Sequence, residues 1–371
     1  MNEDKAARYH RLRRRASVFG TLAGAALLLL LVVSGGSSFA RDLASSVASN
    51  SYPLTVLLYV VLVFLGAEIV QLPLAYYLGV TLERRYGLST QTLASWWGDH
   101  IKGLAIGLAF TALGALMVSG LIRWSPERWW MVAALVFAAV MIVLAQLAPV
   151  LLLPIFYDFK PLDRPALRDR LIALANRAGA EVLGVFEWRL GDRTRKANAA
   201  LTGIGRTRRI LVSDTLLAEH SDDEIEVILA HELAHHVHRD IWAGIALETG
   251  LMALAFFLAD QALVWATGRS GIVGSRDPPG LPILVLAGGA VSLALMPMAN
   301  ALSRAHERRA DRYALDLTRN APAFMTAMKR LGAQNLAEER PSRLVEVLFY
   351  THPPLNARID AAARWDAARR T

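Results

Sequence analysis

The sequence predicts a mainly α, polytopic membrane protein of about six transmembrane helices, with an α+β domain on the cytoplasmic side. Three observations predict it. Hydrophobic residues make up 54% of the 371 residues and mean hydropathy is positive, more apolar than soluble domains of this size. Uncharged or nearly uncharged runs of spanning length recur along the chain. Lys and Arg gather in alternate connecting segments, the bias that sets topology. The net charge of +8 therefore reads as topology. No nucleic-acid motif accompanies it, and nucleic acid is not an expected partner. The absence of cysteine excludes disulfides and thiol catalysis.

The first span is residues 17–36, preceded by Lys5, Arg8, Arg11, Arg13, Arg14 and Arg15. A basic lead, an apolar run and Ser38-Phe-Ala40 also fit a cleavable signal peptide, but the length of the run and the later spans favour a retained helix. The second span runs from near Pro53 to about Leu82 and holds Glu68, Gln71 and Pro73. An acid at membrane depth must face protein or water. Glu68 thus implies either a hydrated interior or a pairing with Arg or a backbone group. Residues 81–102 read as a polar connector with Arg84, Arg85, Asp99 and Lys102, and Trp96 and Trp97 suit the membrane interface. The third span is about 103–122 and the fourth about 129–155, kinked or ended by Pro149 and Pro154.

From Tyr157 the composition becomes that of a soluble domain. Residues 163–179 read as an amphipathic helix begun by Asp163 and ended by Gly179. Runs 182–190, 197–201 and 209–212 read as strands. The fifth span, about 241–262, contains Glu248, which takes the same two readings as Glu68. A Gly/Pro-rich loop over 263–280 leads to the sixth span, about 281–302. Helices around His352-Pro-Pro354 complete the chain. The expected organisation is four spans with connectors (1–156), a soluble insertion (157–240), two spans (241–302) and a helical C-terminal part (303–371). An inside N-terminus leaves only Arg41, Arg123, Arg128, Arg269 and Arg276 outside, so residues 157–240 and 303–371 are both expected in the cytoplasm. The Ala- and Arg-rich composition is of bacterial type, which points to an inner membrane.

The chemistry is carried by Val227-Ile-Leu-Ala-His231-Glu232-Leu-Ala-His235-His236. On a helix His231 and His235 project from one face, one turn apart, and together can hold a Zn2+. Glu232 beside them is placed to take a proton from water at the metal. Solvated histidines on a helix are the ordinary alternative. Against it, Ser221 is a good N-cap, residues 222–224 supply first-turn acids, and Ile225, Ile228, Leu229 and Leu233 form a burying stripe.

A hydrolytic zinc site needs a third protein ligand. His236 points about 100° away from His235, and His238 lies about 10 Å along the axis from His231. The metzincin extension fails at His238 and Ile241. The ligand must come from elsewhere, and residues 303–314 are the best stretch. Glu307 and Asp311 are one turn apart there, so one can bind metal while the other orients a histidine. A solvated charged face is the competing reading of that stretch.

His231-Glu-Leu-Ala-His235 followed by Glu307-Arg-Arg-Ala310-Asp311 resembles the integral-membrane zinc metalloproteases of the CAAX prenyl protease 1 type. Residues 72–77 with 83–88, Asn198-Ala199 with Gly203 and 209–216, residues 149–156, and His352-Pro-Pro354 with Arg358 resemble the same family in order. The resemblance implies a zincin-like metalloprotease domain, one Zn2+ per chain, Glu307 as third ligand and Asp311 as its partner. It implies Asn198 and Ala199 on an edge strand beside the substrate, and His352 and Arg358 close to the site, steadying substrate or oxyanion. It also implies a large hydrated chamber among the spans. Lys196-Ala197 departs from the His-Ser of eukaryotic members, which bears on substrate contacts and not on zinc chemistry. Those members have seven spans, one more than expected here.

The expected function is that of a membrane-embedded zinc endopeptidase with Glu232 as general base. Its expected partners are a lipid bilayer and a peptide or protein substrate, in the family a prenylated C-terminal Cys-a-a-X sequence. A membrane quality-control protease is the second reading. It is disfavoured by residues 72–77 and His352-Pro-Pro354. A non-catalytic zinc scaffold or a transporter is the third, disfavoured by Glu232, which a structural zinc site does not need.

Overall fold

Backbone that crosses hydrocarbon must satisfy its own hydrogen bonds, so the apolar runs fold as helices. The computed structural model describes residues 2–49, 51–203, 208–269 and 271–370. Helix α1 (Asn2–Val33) carries the basic lead straight into the first apolar run. A left-handed Gly35, φ 76°, turns the chain into α2 (Gly36–Val47), a helix that the spanning pattern did not suggest. Its Ala44 packs on Val56 and Tyr59 of α3 (Tyr52–Tyr76). Pro73 lies inside α3, which continues through a π-helical turn, Tyr77–Thr81, into α4 (Leu82–Arg85). Gly79 is needed in that turn, because a Cβ there would lie 2.6 Å from Trp96 Nε1.

Helix α5 (Leu93–Trp124) starts earlier than expected. The Thr92 side chain accepts the Ser95 N–H and caps it, so half of the connector expected over 81–102 is helix. Helices α6 (Trp129–Leu151) and α7 (Leu153–Phe156) follow, divided just before Pro154. Among the described residues, five helical stretches are long and apolar enough to cross a membrane: Lys5–Val33, Tyr52–Arg85, Leu93–Trp124, Asp240–Ala266 and Pro278–Thr318. The remaining expected span is α6, 23 residues long, whose apolar run among the described residues is Trp129–Ala145. Leu30, Ile69, Leu113, Leu135 and Val285 are exposed on these helices, as a lipid-facing surface requires.

The soluble part begins with β1 (Phe159–Pro161), α8 (Pro165–Arg177), β2 (Gly184–Trp188), β3 (Ala199–Thr202) and β4 (Arg209–Ser213). The sheet order is β1-β2-β4-β3, with β2 and β4 parallel and the other pairs antiparallel. Arg164, not Asp163, occupies the N-cap of α8, because Pro165 fixes the first helical residue. The helix does end before Gly179, which takes φ 69°. β2 is shorter than 182–190 because β4 offers it only five partners. β1 is too short for an alternation to register in sequence.

Then come α9 (Asp214–Glu219), α10 (Asp222–Val237), α11 (Asp240–Ala266), α12 (Leu281–Thr318), α13 (Ala321–Gln334), α14 (Arg343–Phe349) and α15 (Leu355–Arg370). α12 is one continuous 38-residue helix with Pro297 inside it, so the last span and the Glu307 segment belong to one element. The core joins Leu167, Leu171 and Leu174 of α8, Ile210 and Val212 of β4, Ile225, Leu229 and Leu233 of α10, and Phe324 of α13. Burying each such side chain contributes roughly 1.5–3 kcal/mol.

Glu68 and Glu248, the two acids singled out in the sequence, resolve differently. Glu68 accepts a hydrogen bond from His100 Nε2 at 2.8 Å, a side-chain partner from the next span rather than Arg or backbone. Glu248 lines a cavity of about 610 Å³ among α1, α3, α5, α11 and α12, mostly apolar but with Tyr59, Thr111 and Ser292 on its wall.

The basic lead of α1 is tied to the soluble part. Glu83 accepts from Tyr9 Oη at 2.5 Å and Arg13 Nη1 at 3.2 Å, and pairs with Lys196 Nζ at 3.0 Å. Lys196, the departure from the eukaryotic pattern, is thus spent on this cluster. Glu83 is 14% exposed and each of its hydrogen bonds to a charged group is worth about 1.5–3 kcal/mol. Glu83→Ala is expected to cost about 2 kcal/mol, read as a lower unfolding temperature in detergent. An unchanged temperature would contradict the role given to this cluster.

Candidate metal centre

Helix α10 delivers two imidazoles to one point. Ser221 Oγ accepts the Glu224 N–H, and the Glu224 carboxylate accepts the Ser221 N–H at 2.8 Å, a reciprocal capping box. The stripe of Ile225, Ile228, Leu229 and Leu233 is buried in the core and fixes the rotation of the helix. His231 and His235, four residues apart, then share the face turned to α12.

Across from them α12 presents Glu307. His231 Nε2 lies 3.2 Å from Glu307 Oε2, and His235 Nε2 lies 3.4 Å from Glu307 Oε1. One ligand atom from each of the three residues falls within 4.8 Å of the others. The far nitrogens are held by carboxylates: His231 Nδ1 lies 2.9 Å from Asp311 Oδ1, and His235 Nδ1 lies 2.9 Å from Asp240 Oδ2. Each carboxylate favours a proton on Nδ1 and turns the Nε2 lone pair towards the common point. Glu307 Oε2 is buried and makes no well-formed hydrogen bond, although His231 Nε2 is close. Two imidazoles and a carboxylate, oriented in this way, fit a Zn2+ site.

The other expected residues gather around this point. Arg358 donates to Asp311 through Nε at 2.8 Å and Nη2 at 2.5 Å, and Nη2 lies 3.4 Å from His231 Nδ1. Its guanidinium is therefore occupied by Asp311 in a fork-to-fork pair. His352 is different: its side chain is 58% exposed and its Nε2 lies 3.3 Å from Glu307 Oε1. β3 is an edge of the sheet, with Asn198 just before it and Ala199 as its first residue. Asn198, Ala199, Ile228, Glu232, Met328 and His352 line the small cavity over the site. His236 and His238 stay outside the donor group, as their spacing requires, and His238 packs edge-on against Tyr313.

Two partners were not foreseen from sequence. Asp240 opens α11, five residues after His235, and its carboxylate bridges His235 to Arg309. The available signal was an acid at the start of the next helix, one turn beyond the second histidine. Asn335 also lines the cavity, and nothing in its sequence surroundings marks it.

The charges follow from the packing. Burial works against a charged His231 ring, but the carboxylates of Asp311, 2.9 Å away, and Glu307, 3.2 Å away, outweigh this and raise its pKa to about 9. Burial also pushes the Glu232 carboxyl above its ordinary value, against the opposing pull of the two histidines. A carboxylate with a raised pKa is a better proton acceptor for general-base chemistry.

Residues 161–366 match the model of Peptidase family M48. Residues 2–158 match that of the CAAX prenyl protease N-terminal region, described as five membrane helices. The chain is similar to the uncharacterized metalloprotease YhfN of Bacillus subtilis, 32% identical over 315 residues, covering 84% of this chain and 74% of the relative. It is similar to CAAX prenyl protease 1 of Saccharomyces cerevisiae, 27% identical over 324 residues, covering 81% and 71%. The crystal structure of S. mikatae Ste24p shares the fold, with a TM-score of 0.87 at 24% identity, covering 97% of this chain and 89% of that one.

A protonated His231 must lose its proton before Nε2 can bind a metal. With its pKa at about 9, zinc uptake below that pH should release at least one proton per site, and zinc affinity should rise with pH and level off above about 9. Titration calorimetry of metal-free protein in buffers of different ionisation enthalpy counts those protons. Uptake with no proton release at pH 7 would contradict the arrangement.

Proposed function

The chain belongs to peptidase family M48, and from that footing we propose that His231, His235 and Glu307 hold one Zn2+ and that Glu232 is the general base. The protein is a membrane metalloprotease resembling CAAX prenyl proteases. The observation that supports the site assignment is the convergence within 4.8 Å of ligand atoms from His231 and His235 of α10 and Glu307 of α12, beside Glu232 of α10.

Zinc bound there supplies Lewis acidity towards a peptide carbonyl and makes water a stronger acid. Glu232 takes the proton of the attacking water and passes it to the leaving amine. His352, exposed beside Glu307, reaches the carbonyl oxygen as it gains charge. Arg358 and Asp311 position His231, and Asp240 positions His235. The edge of β3 pairs with the extended substrate backbone at Ala199, with Asn198 at its end.

The substrate is a peptide or protein with a prenylated C-terminus. The naming of the relatives as CAAX prenyl proteases supports this. So does the mostly apolar cavity among the spans. The Lys and Arg bias supports placing residues 157–240 and 303–371 in the cytoplasm, the two parts that carry the donors, with the spans in a bacterial inner membrane.

Zinc content and peptide cleavage of detergent-purified protein beside Glu232→Ala test this reading. Both proteins should hold about one zinc per chain, and the variant should cleave about 10³-fold more slowly. Equal cleavage, or wild type without zinc, would contradict it.

A further inference from the structure

Beyond the last span, α12 and α15 run side by side without closing on each other. Arg358 of α15 lies beside Asp311 of α12, and Trp365 beside Asp316. Ala357, Ala361 and Ala368 of α15 are too short to fill the space between, which is a groove of about 640 Å³. Leu315, buried in the core, and Trp365, packed against it, give the groove an apolar floor.

The charge in this groove is unbalanced. Five guanidinium groups line it, those of Arg308, Arg312, Arg358, Arg364 and Arg369, against the two carboxylates of Asp311 and Asp316. Both carboxylates are already engaged. Asp311 accepts from Arg358 and lies 2.9 Å from His231 Nδ1. Asp316 accepts from Trp365 Nε1 at 2.9 Å and lies 3.5 Å from Arg369 Nη2. Arg308, Arg312 and Arg364 make no hydrogen bond or ion pair among the described residues. A solvated helix face ordinarily sets an acid one turn from each base, as Asp366 stands to Arg370. Arg308 and Arg312 are one turn apart with like charge, which destabilises a helix until an anion neutralises the pair.

Position and shape select the anion. The expected last span ends at residue 302. At 1.5 Å per residue, Arg308 and Arg312 lie about 9 and 15 Å further along the same helix. Lipid headgroups extend only about 5–8 Å beyond the hydrocarbon, so the groove opens to water. Its volume is that of a small-molecule site. Guanidinium forks match phosphate oxygens two at a time, and several forks in one groove match several phosphates.

We infer that the groove between α12 and α15 binds a soluble anion carrying two or more linked phosphate groups, of the nucleoside polyphosphate or oligophosphate class, through Arg308, Arg312 and Arg364. The groove shares Arg358 with the cavity over the candidate metal centre but contains none of His231, Glu232 or His352. Binding there is independent of the protease reading.

Titration calorimetry of full-length, zinc-loaded protein in detergent tests this, with inorganic tripolyphosphate as the probe. Wild type and Glu232→Ala should bind it equally. Arg312→Glu combined with Arg364→Glu should bind it at least about tenfold more weakly, the effect of losing one or more hydrogen bonds to a charged group. Zinc content and unfolding temperature should stay unchanged in that variant. Extraction of zinc by the probe would be indifferent to these arginines, so the variant separates it from binding in the groove. Orthophosphate and a hexaglutamate peptide should each bind at least about tenfold more weakly than tripolyphosphate, and phosphatidylglycerol in mixed micelles should not displace it. Should the double variant fail to fold, Arg308→Gln repeats the comparison with a single exposed change. Three results would each overturn the inference: no binding, equal binding by the arginine variants, or hexaglutamate binding as tightly as tripolyphosphate. Displacement by phosphatidylglycerol would also overturn it and assign the groove to a lipid headgroup.

Discussion

The contact on which the rest depends is that between α10 and α12 at His231, His235 and Glu307. These side chains come from helices separated by two passages through the membrane, yet their ligand atoms fall within 4.8 Å. No local interaction can arrange that. It depends on α12 being one continuous 38-residue helix, so that the apolar span that sets its position in the bilayer also leads directly to Glu307. It depends equally on the core under α10, whose buried stripe sets the rotation of the histidines. Membrane insertion and domain packing thus meet at the candidate metal centre.

Gathering charge at such a point is costly. His231, Glu307 and Asp311 are buried, and removing an ion from water costs several kcal/mol. The fold offsets this by pairing each group: Asp311 with Arg358 and His231, Asp240 with His235 and Arg309. The result is a set of donors held before any substrate arrives, which is the condition for stabilising charge during reaction without rearrangement. The same economy appears away from the centre, where Glu68 finds His100 and Glu83 binds α1 to Lys196.

Much of this was legible in the sequence because it is periodic or local. The spans follow from apolar length. The α10 face follows from the spacing of His231 and His235 and from the Ser221 cap. The Glu307–Asp311 pair needed the resemblance to select between two carboxylates that spacing alone left equal. What sequence did not reveal is what tertiary contact decides. Asp240 becomes a partner of His235 only because α11 starts where it does. Asn335 meets Ala197 from 138 residues away, and His100 of one span meets Glu68 of the span before it. Short elements escaped for a different reason: β1 has three residues, and the start of α8 was set by Pro165 rather than by the acid before it.

The most direct measurement is anomalous diffraction at the zinc edge from crystals of the zinc-loaded protein. A single strong peak is predicted between α10 and α12, within about 2.0–2.2 Å of His231 Nε2, His235 Nε2 and a Glu307 carboxylate oxygen. A peak ligated by His236, His238 or His306, or one that Glu307 does not touch, would contradict the account.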